Sequence, residues 1–171
     1  MFLGGGNTFF VKNLSGKTVP SWRTKLLVWL MPLLFFAAGL IWLVASIIWV
    51  SNATESTGTV TQVYKWEGEN VVEAGSTLYG PVFSYTWTDG TETTGALGMS
   101  SPDFNFEIGS KHAILFDPAI KSNVRFPGFA FNYFGATVIL AIGAMFALVS
   151  LVLWVAVKNI ARKRDQKEVS A

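Results

Sequence analysis

Two long runs without a charged residue, Leu26 to Val50 and Gly128 to Val157, bracket a polar stretch in which apolar and polar positions alternate. At about 1.5 Å per helical residue, each run is long enough to cross a hydrocarbon core of roughly 30 Å. Alternation with period 2 is the pattern of half-buried strands. The pattern therefore predicts two transmembrane helices flanking a small antiparallel β barrel or sandwich. Its parts are an N-terminal tail over 1–25, a first span over 26–50, a β domain over 53–127, a second span over 129–157 and a basic tail over 158–171.

Within the insert, Thr57 to Trp66 is rich in β-branched and aromatic residues and reads as a strand. A second strand is expected from Thr77 to Thr88, where Tyr79, Pro81, Phe83 and Tyr85 alternate with Leu78, Gly80, Val82 and Ser84. Pro81 donates no backbone hydrogen bond, so its part of the strand should be an edge or a bulge. Asp89-Gly90 predicts a two-residue hairpin turn into a third strand, Thr91 to Met99. Lys111 to Phe116 is a buried-type strand that Asp117-Pro118 stops, and Val124 to Phe126 adds a short last one. Tyr85, Phe83 and Leu115 are expected in the core, with His112 pointing to solvent. Phe126, Phe129, Phe131, Tyr133 and Phe134 should form an aromatic collar at the height of the lipid headgroups.

Charge gives this layout a direction. Residues 1–25 carry Lys12, Lys17, Arg23 and Lys25 with no acid, and the last segment adds Lys158, Arg162, Lys163, Arg164 and Lys167. The insert holds nine of the chain's 11 acids. Basic residues beside span ends stay on the cytoplasmic side, so both termini should be cytoplasmic and the β domain outside. The same topology explains the basic tail better than nucleic-acid binding does. Gly4-Gly5-Gly6 predicts a mobile N-terminal tail, and Phe9, Phe10 and Val11 offer the alternative of dipping into the headgroups. The first apolar run is too long for a signal-peptide core.

The spans have faces. In the second, Ala136, Leu140, Gly143, Ala147 and Ser150 advance by four, three, four and three residues and lie on one side of a helix. In the first, Ala38 and Ala45 form a small-residue face, with Gly39 and Ser46 beside them. Small faces let helices approach closely in lipid. They can meet within the chain, but two spans offer two faces and one hairpin needs a single contact, which points to an external membrane partner.

The order Gly58-x-Val60, then Tyr79-x-Pro81-x-Phe83-x-Tyr85, then Asp89-Gly90, then Gly109 followed by Ile114-Leu115-Phe116-Asp117-Pro118 resembles the bacterial domain-of-unknown-function family 3592. The resemblance covers roughly residues 57–126 and, in outline, the flanking spans. Where family members often carry a second proline after Asp-Pro, this chain has Ala119-Ile120-Lys121. It implies the same layout of a small β domain beside transmembrane helices, and no catalytic residue.

Little chemistry is offered. There is no cysteine, which removes disulfides, thiolate ligands and thiol nucleophiles. His112 is the single histidine and has no second ligand at metal spacing. Glu67, Glu69 and Glu73 fit a solvated loop better than a cation site. No phosphate-binding glycine loop or nucleophile elbow is present. Nor do the spans carry the ionisable residues that ion pathways use. These observations lead to a non-catalytic protein of the bacterial cytoplasmic membrane, without cofactor, metal, nucleic acid or small-molecule substrate, in contact with lipid and other integral membrane proteins. The leading expectation is an accessory, structural or assembly subunit of a membrane complex. The alternative is an extracytoplasmic binding or sensing module for a peptide, glycan or lipid, which a pocket lined by Trp66, Tyr79, Tyr85 and Trp87 would favour.

Overall fold

The computed structural model describes residues 9–68 and 75–169, with side chains to residue 167. The chain divides into two compact units. A helical unit comprises Met1–Trp42 with Gly135–Ala171, and a barrel unit comprises Leu43–Phe134.

Five strands build the barrel: β3 (Thr54–Glu67), β4 (Thr77–Thr86), β5 (Glu92–Ala96), β6 (Lys111–Asp117) and β7 (Ile120–Arg125). Their order in the sheet is β5-β4-β3-β6-β7, every ladder antiparallel. Three consecutive strands followed by a fourth that returns beside the first make a Greek key. The length of β3 permits this. Its first half, Thr54 to Thr59, pairs with β6, and from Thr59 onwards it pairs with β4. Between Val60 and Gln62 the register with β4 slips by one residue. Such a bulge bends a strand and sharpens its twist, which lets β3 serve two walls of a curved sheet.

The sheet nearly closes on itself. Leu97, just past β5, forms a parallel bridge with Val124 of β7. A Cβ on Gly95 would lie 2.5 Å from Val124 Cγ2 and 3.1 Å from the Lys121 carbonyl, so any side chain there would hold the seam open. The result is a five-stranded, partly open Greek-key barrel, the arrangement of OB-type folds. A short 3₁₀ turn, Pro102–Phe104, plugs it. The Ser101 hydroxyl accepts from the Asp103 amide, and Phe104 is buried.

Phe83, Phe116, Ile114, Val60 and Val124 fill the interior, each at most 2% exposed. Phe83 and Tyr85 are in the core as expected. Leu115 is not: Ile114 and Phe116 face inward, and Leu115 lies half-buried on the opposite side. His112 shares the inward parity and is half-buried rather than solvent-facing. The cause is the unbroken apolar run Ala113 to Phe116, which by itself does not reveal which residues point in. Charges at the strand's ends do. Lys111 and Asp117 must reach water, and they share parity with Ala113 and Leu115.

Two further expectations are corrected. The β4–β5 connection is not a two-residue turn. Trp87 and Thr91 pair through a 2.8 Å bond, Gly90 N–H returns to the Trp87 carbonyl, and Gly90 has φ +83°. This is a three-residue loop whose glycine takes the left-handed position, and the Asp89 carboxylate closes it by accepting from the Thr91 amide at 2.9 Å. The aromatic collar also divides. Phe126 and Phe131 pack into the barrel, while Phe129 and Phe134 are exposed.

The two long helices, α1 (Trp22–Asn52) and α3 (Phe134–Val169), are each continuous. α1 runs through Pro32 without a break, and a one-turn helix, α2 (Phe129–Asn132), precedes α3. The tail expected over 1–25 is partly ordered: β1 (Phe10–Lys12) pairs with β2 (Thr18–Pro20). Asn13 closes that hairpin by accepting from the Ser15 and Lys17 amides. The hairpin is fastened to the far end of α3. The Thr18 amide donates to Asp165 at 2.8 Å, and the Arg164 guanidinium lies 4.6 Å from the Phe10 ring centre. The glycines at positions 4–6 fall outside the described residues.

Candidate functional site

The helix faces come first, because the sequence singled them out. Ala136, Gly143 and Ser150 are buried, Leu140 and Ala147 half-buried. Their neighbour is the chain's own first helix. A Cβ on Gly143 would meet Phe35 Cβ at 3.2 Å and the Phe36 amide at 3.3 Å. Leu140 lies over Gly39, where a Cβ would come within 2.7 Å of it. Ser150 donates to the Val28 carbonyl at 2.6 Å, and Phe35 stacks on Phe146 at 5.2 Å. Of the two options for this face, the contact at Gly143 is made within the chain. On α1, Ala38 and Ala45 are exposed, and Gly39 and Ser46 are the buried residues. The face begins one residue later than the alanines suggest, because Pro32, Gly39 and Ser46 keep the heptad phase of the buried positions.

In the barrel unit the most built feature is an aromatic cleft of about 350 Å³. It opens between the 3₁₀ plug, the start of β6 and the segment after β7. Phe104, Phe106, Phe126 and Phe131 line it, with His112 among them and Asp103 at its edge. The packing is dense: His112 lies against Phe106 at 4.1 Å, Phe104 meets Phe126 edge-on at 5.4 Å, and Phe126 meets Phe131 at 5.3 Å. His112 Nε2 is 3.0 Å from the Ser110 hydroxyl. Asn132 fixes the outer wall, its side-chain amide donating to the carbonyls of Phe126 and Gly128. Such a cleft offers ring faces, one imidazole and one carboxylate, which suits a planar apolar group and not a charged reaction centre.

The four residues that would have lined the anticipated pocket do not share a surface. Trp66 covers Gly80 on one side of the sheet, while Tyr79 and Tyr85 point to the other. Tyr85 and Trp87 instead pack at a tilt against Phe116, ring centres 5.0 Å away in each case. The Tyr85 hydroxyl donates to the Lys121 carbonyl, and burial pushes its pKa up. Of the three glutamates weighed for a cation site, Glu67 is exposed, and Glu69 and Glu73 lie outside the described residues.

A second cleft, of about 420 Å³, lies at the C-terminal end of α1 between Ala45, Ile48, Trp49, Asn52 and Asp117. The Arg125 guanidinium sits 3.9 Å from the Trp49 ring centre. Burial lowers the Arg125 pKa while the negative charge of Asp117 opposes that change. Nothing in the strand pattern disclosed this pairing, because Arg125 and Trp49 are separated by the whole domain.

No family model matches the chain, no curated protein matches it, and no solved structure matches it. The resemblance to family 3592 therefore brings no activity to these residues. The OB-type topology brings none either, since function resides in sites rather than folds.

Proposed function

We propose that the chain is a non-catalytic, two-span protein of the bacterial cytoplasmic membrane, with both termini cytoplasmic and the barrel outside, and that the barrel is a binding module for an apolar, ring-bearing group. Membrane insertion is supported by the outward faces of the helices. Only 11% of the most apolar window of either helix is buried, and Leu33, Ile41, Leu148 and Val152 are each at least half exposed. Basic termini and an acidic insert support the orientation.

The observation that carries the binding reading is the aromatic cleft around His112. Phe104 and Phe126 belong to the barrel core and Phe106 and Phe131 pack against it, so the core itself presents ring faces to the opening. The rival reading, an accessory or assembly subunit, rests on the small-residue faces of both spans, of which Gly143 in the second packs against Phe35 and Phe36 of the first.

His112 is the only histidine, so its imidazole protons give a single reporter inside the cleft. Titration of the detergent-solubilised chain with indole should shift those signals saturably, and Phe131→Ala should abolish saturation. A linear, unsaturable response in the wild type would sink the binding reading. Isolation of a fixed integral membrane partner with an unresponsive cleft would favour the accessory subunit. Orientation is checked separately: in a chain without cysteine, Thr88→Cys should react with an impermeant thiol reagent in intact cells and Lys163→Cys should not.

A further inference from the structure

At the end of α1, Trp49 and Asp117 line the second cleft, and the Arg125 guanidinium lies against the Trp49 ring. The Trp49 indole N–H is buried and has no hydrogen-bond partner. The Arg125 side chain makes no ion pair or hydrogen bond among the described residues, and its guanidinium lies 3.9 Å from the Trp49 ring centre. Asp117 uses one oxygen on the Ala119 amide at 2.8 Å and has a long, 3.4 Å contact from Asn123 on the other. A carboxylate accepts about four hydrogen bonds, so acceptor capacity remains.

A half-buried guanidinium that feels the Asp117 charge without an ion-pair contact, beside an indole N–H with no acceptor, can take a phosphate. An orphan donor out of water is costly, so both favour a ligand that supplies oxygens. Asp117 at the same cleft asks for the opposite charge. Ala45 and Ile48, both exposed on α1, add an apolar flank continuous with the charge-free run that ends at Val50. The chemistry is that of a zwitterion on a hydrocarbon tail. We propose that this cleft binds the headgroup of a phosphatidylethanolamine-type lipid, with Arg125 and the Trp49 indole on the phosphate and Asp117 on the ammonium. A phosphatidylcholine headgroup has no N–H to give Asp117, and phosphatidylglycerol has no cation for it. The inference rests on the membrane-spanning reading above.

The full-length chain reconstituted in nanodiscs with equal parts of the three lipids, then extracted gently for native mass spectrometry, tests it. The ethanolamine lipid should be retained about tenfold over the choline lipid, the discrimination that one charge-assisted hydrogen bond supplies. Arg125→Gln should reduce retention of all three, and Arg125→Lys should restore part of it. Asp117→Asn should erase only the preference for ethanolamine. Excess inorganic phosphate should not displace the bound lipid; displacement would mean that the site takes free phosphate, and would overturn the proposal. Equal retention of the three lipids, or retention unchanged by both Arg125→Gln and Asp117→Asn, would overturn it as well. Should Arg125→Gln fail to fold, Asp117→Asn alone decides. A chain that never enters the nanodisc refutes the membrane reading, whereas entry without headgroup preference refutes this inference alone.

Discussion

In the barrel unit Phe83, Phe116 and Ile114 are inside and polar side chains are outside; in the helical unit Gly39, Gly143 and Ser150 are inside and leucines, isoleucines and valines are outside. Water explains the first arrangement, because removing apolar area from it is favourable at about 25 cal/mol per Å². Under the proposed membrane insertion that driving force vanishes between helices, and close backbone approach at small residues takes its place. Both regions use glycine to allow contact, but a different neighbour makes it necessary. Gly95 leaves room for Val124 across a seam between strands, and Gly39 leaves room for Leu140 across a helix pair.

The sharpest way to break this contrast is to put one charge on each side of β6. Ile114→Asp places an unpaired carboxylate at a fully buried site and should unfold the barrel, a loss of several kcal/mol (about 4 or more). Leu115→Asp, on the outward face, should cost less than half of that, read as protease resistance and thermal midpoint. Equal damage from both would mean that the strand's parity is wrong. Next in size is Gly39→Leu, which drives new atoms into Leu140 and should weaken the helix pair by about 1–3 kcal/mol while leaving barrel melting unchanged. Loss of barrel protection in that variant would show that the two units do not respond separately.

That first pair of substitutions also marks what could be read from the residues alone. Aromatic alternation at Tyr79, Phe83 and Tyr85 placed β4 correctly, with Ser84 and Thr86 marking the outer face at its end. In β6 four successive apolar residues give no such mark, and the outward charges at Lys111 and Asp117 were the information that mattered. The aromatic cleft was illegible for a related reason. Its members come from the 3₁₀ plug, β6 and the segment after β7, and only the Greek-key return brings them together. The small stripe on α3 was plain in the sequence, but its partner was not, because Gly39 and Ala38 are indistinguishable until the helix phase is known.

Smaller effects sharpen the comparison. Ser150→Ala removes the bond to the Val28 carbonyl and should cost only about 0.6 kcal/mol, the typical value for interhelical hydrogen bonds in lipid. A loss of several kcal/mol would show that polar contacts, and not close approach, hold the helices. Least of all should be Asp165→Asn at the hairpin clasp. Hydrogen bonds from Thr18, aided by Lys12 and Lys17, hold the Asp165 pKa below its ordinary value. A depressed carboxylate pKa stabilises the fold at pH above the unfolded value of about 3.9, and that contribution fades as pH falls through the lower, folded value. The wild-type clasp should therefore loosen only in acid, and Asp165→Asn should remove that acid dependence, as followed by amide exchange at Thr18.

The length of α3 has a genetic corollary. One helix carries Gly143 against Phe35 and, 22 residues later, Asp165 against Thr18. At 3.6 residues per turn those positions differ by about 40° in azimuth, so a single phase serves both. Inserting one residue between them would rotate the clasp by about 100° relative to the glycine. Seven or eleven added residues would restore the azimuth but carry Asp165 roughly 10 or 16 Å along the axis, so the clasp should survive an insertion only where α1 is lengthened by the same number, a reading frame shared by two helices.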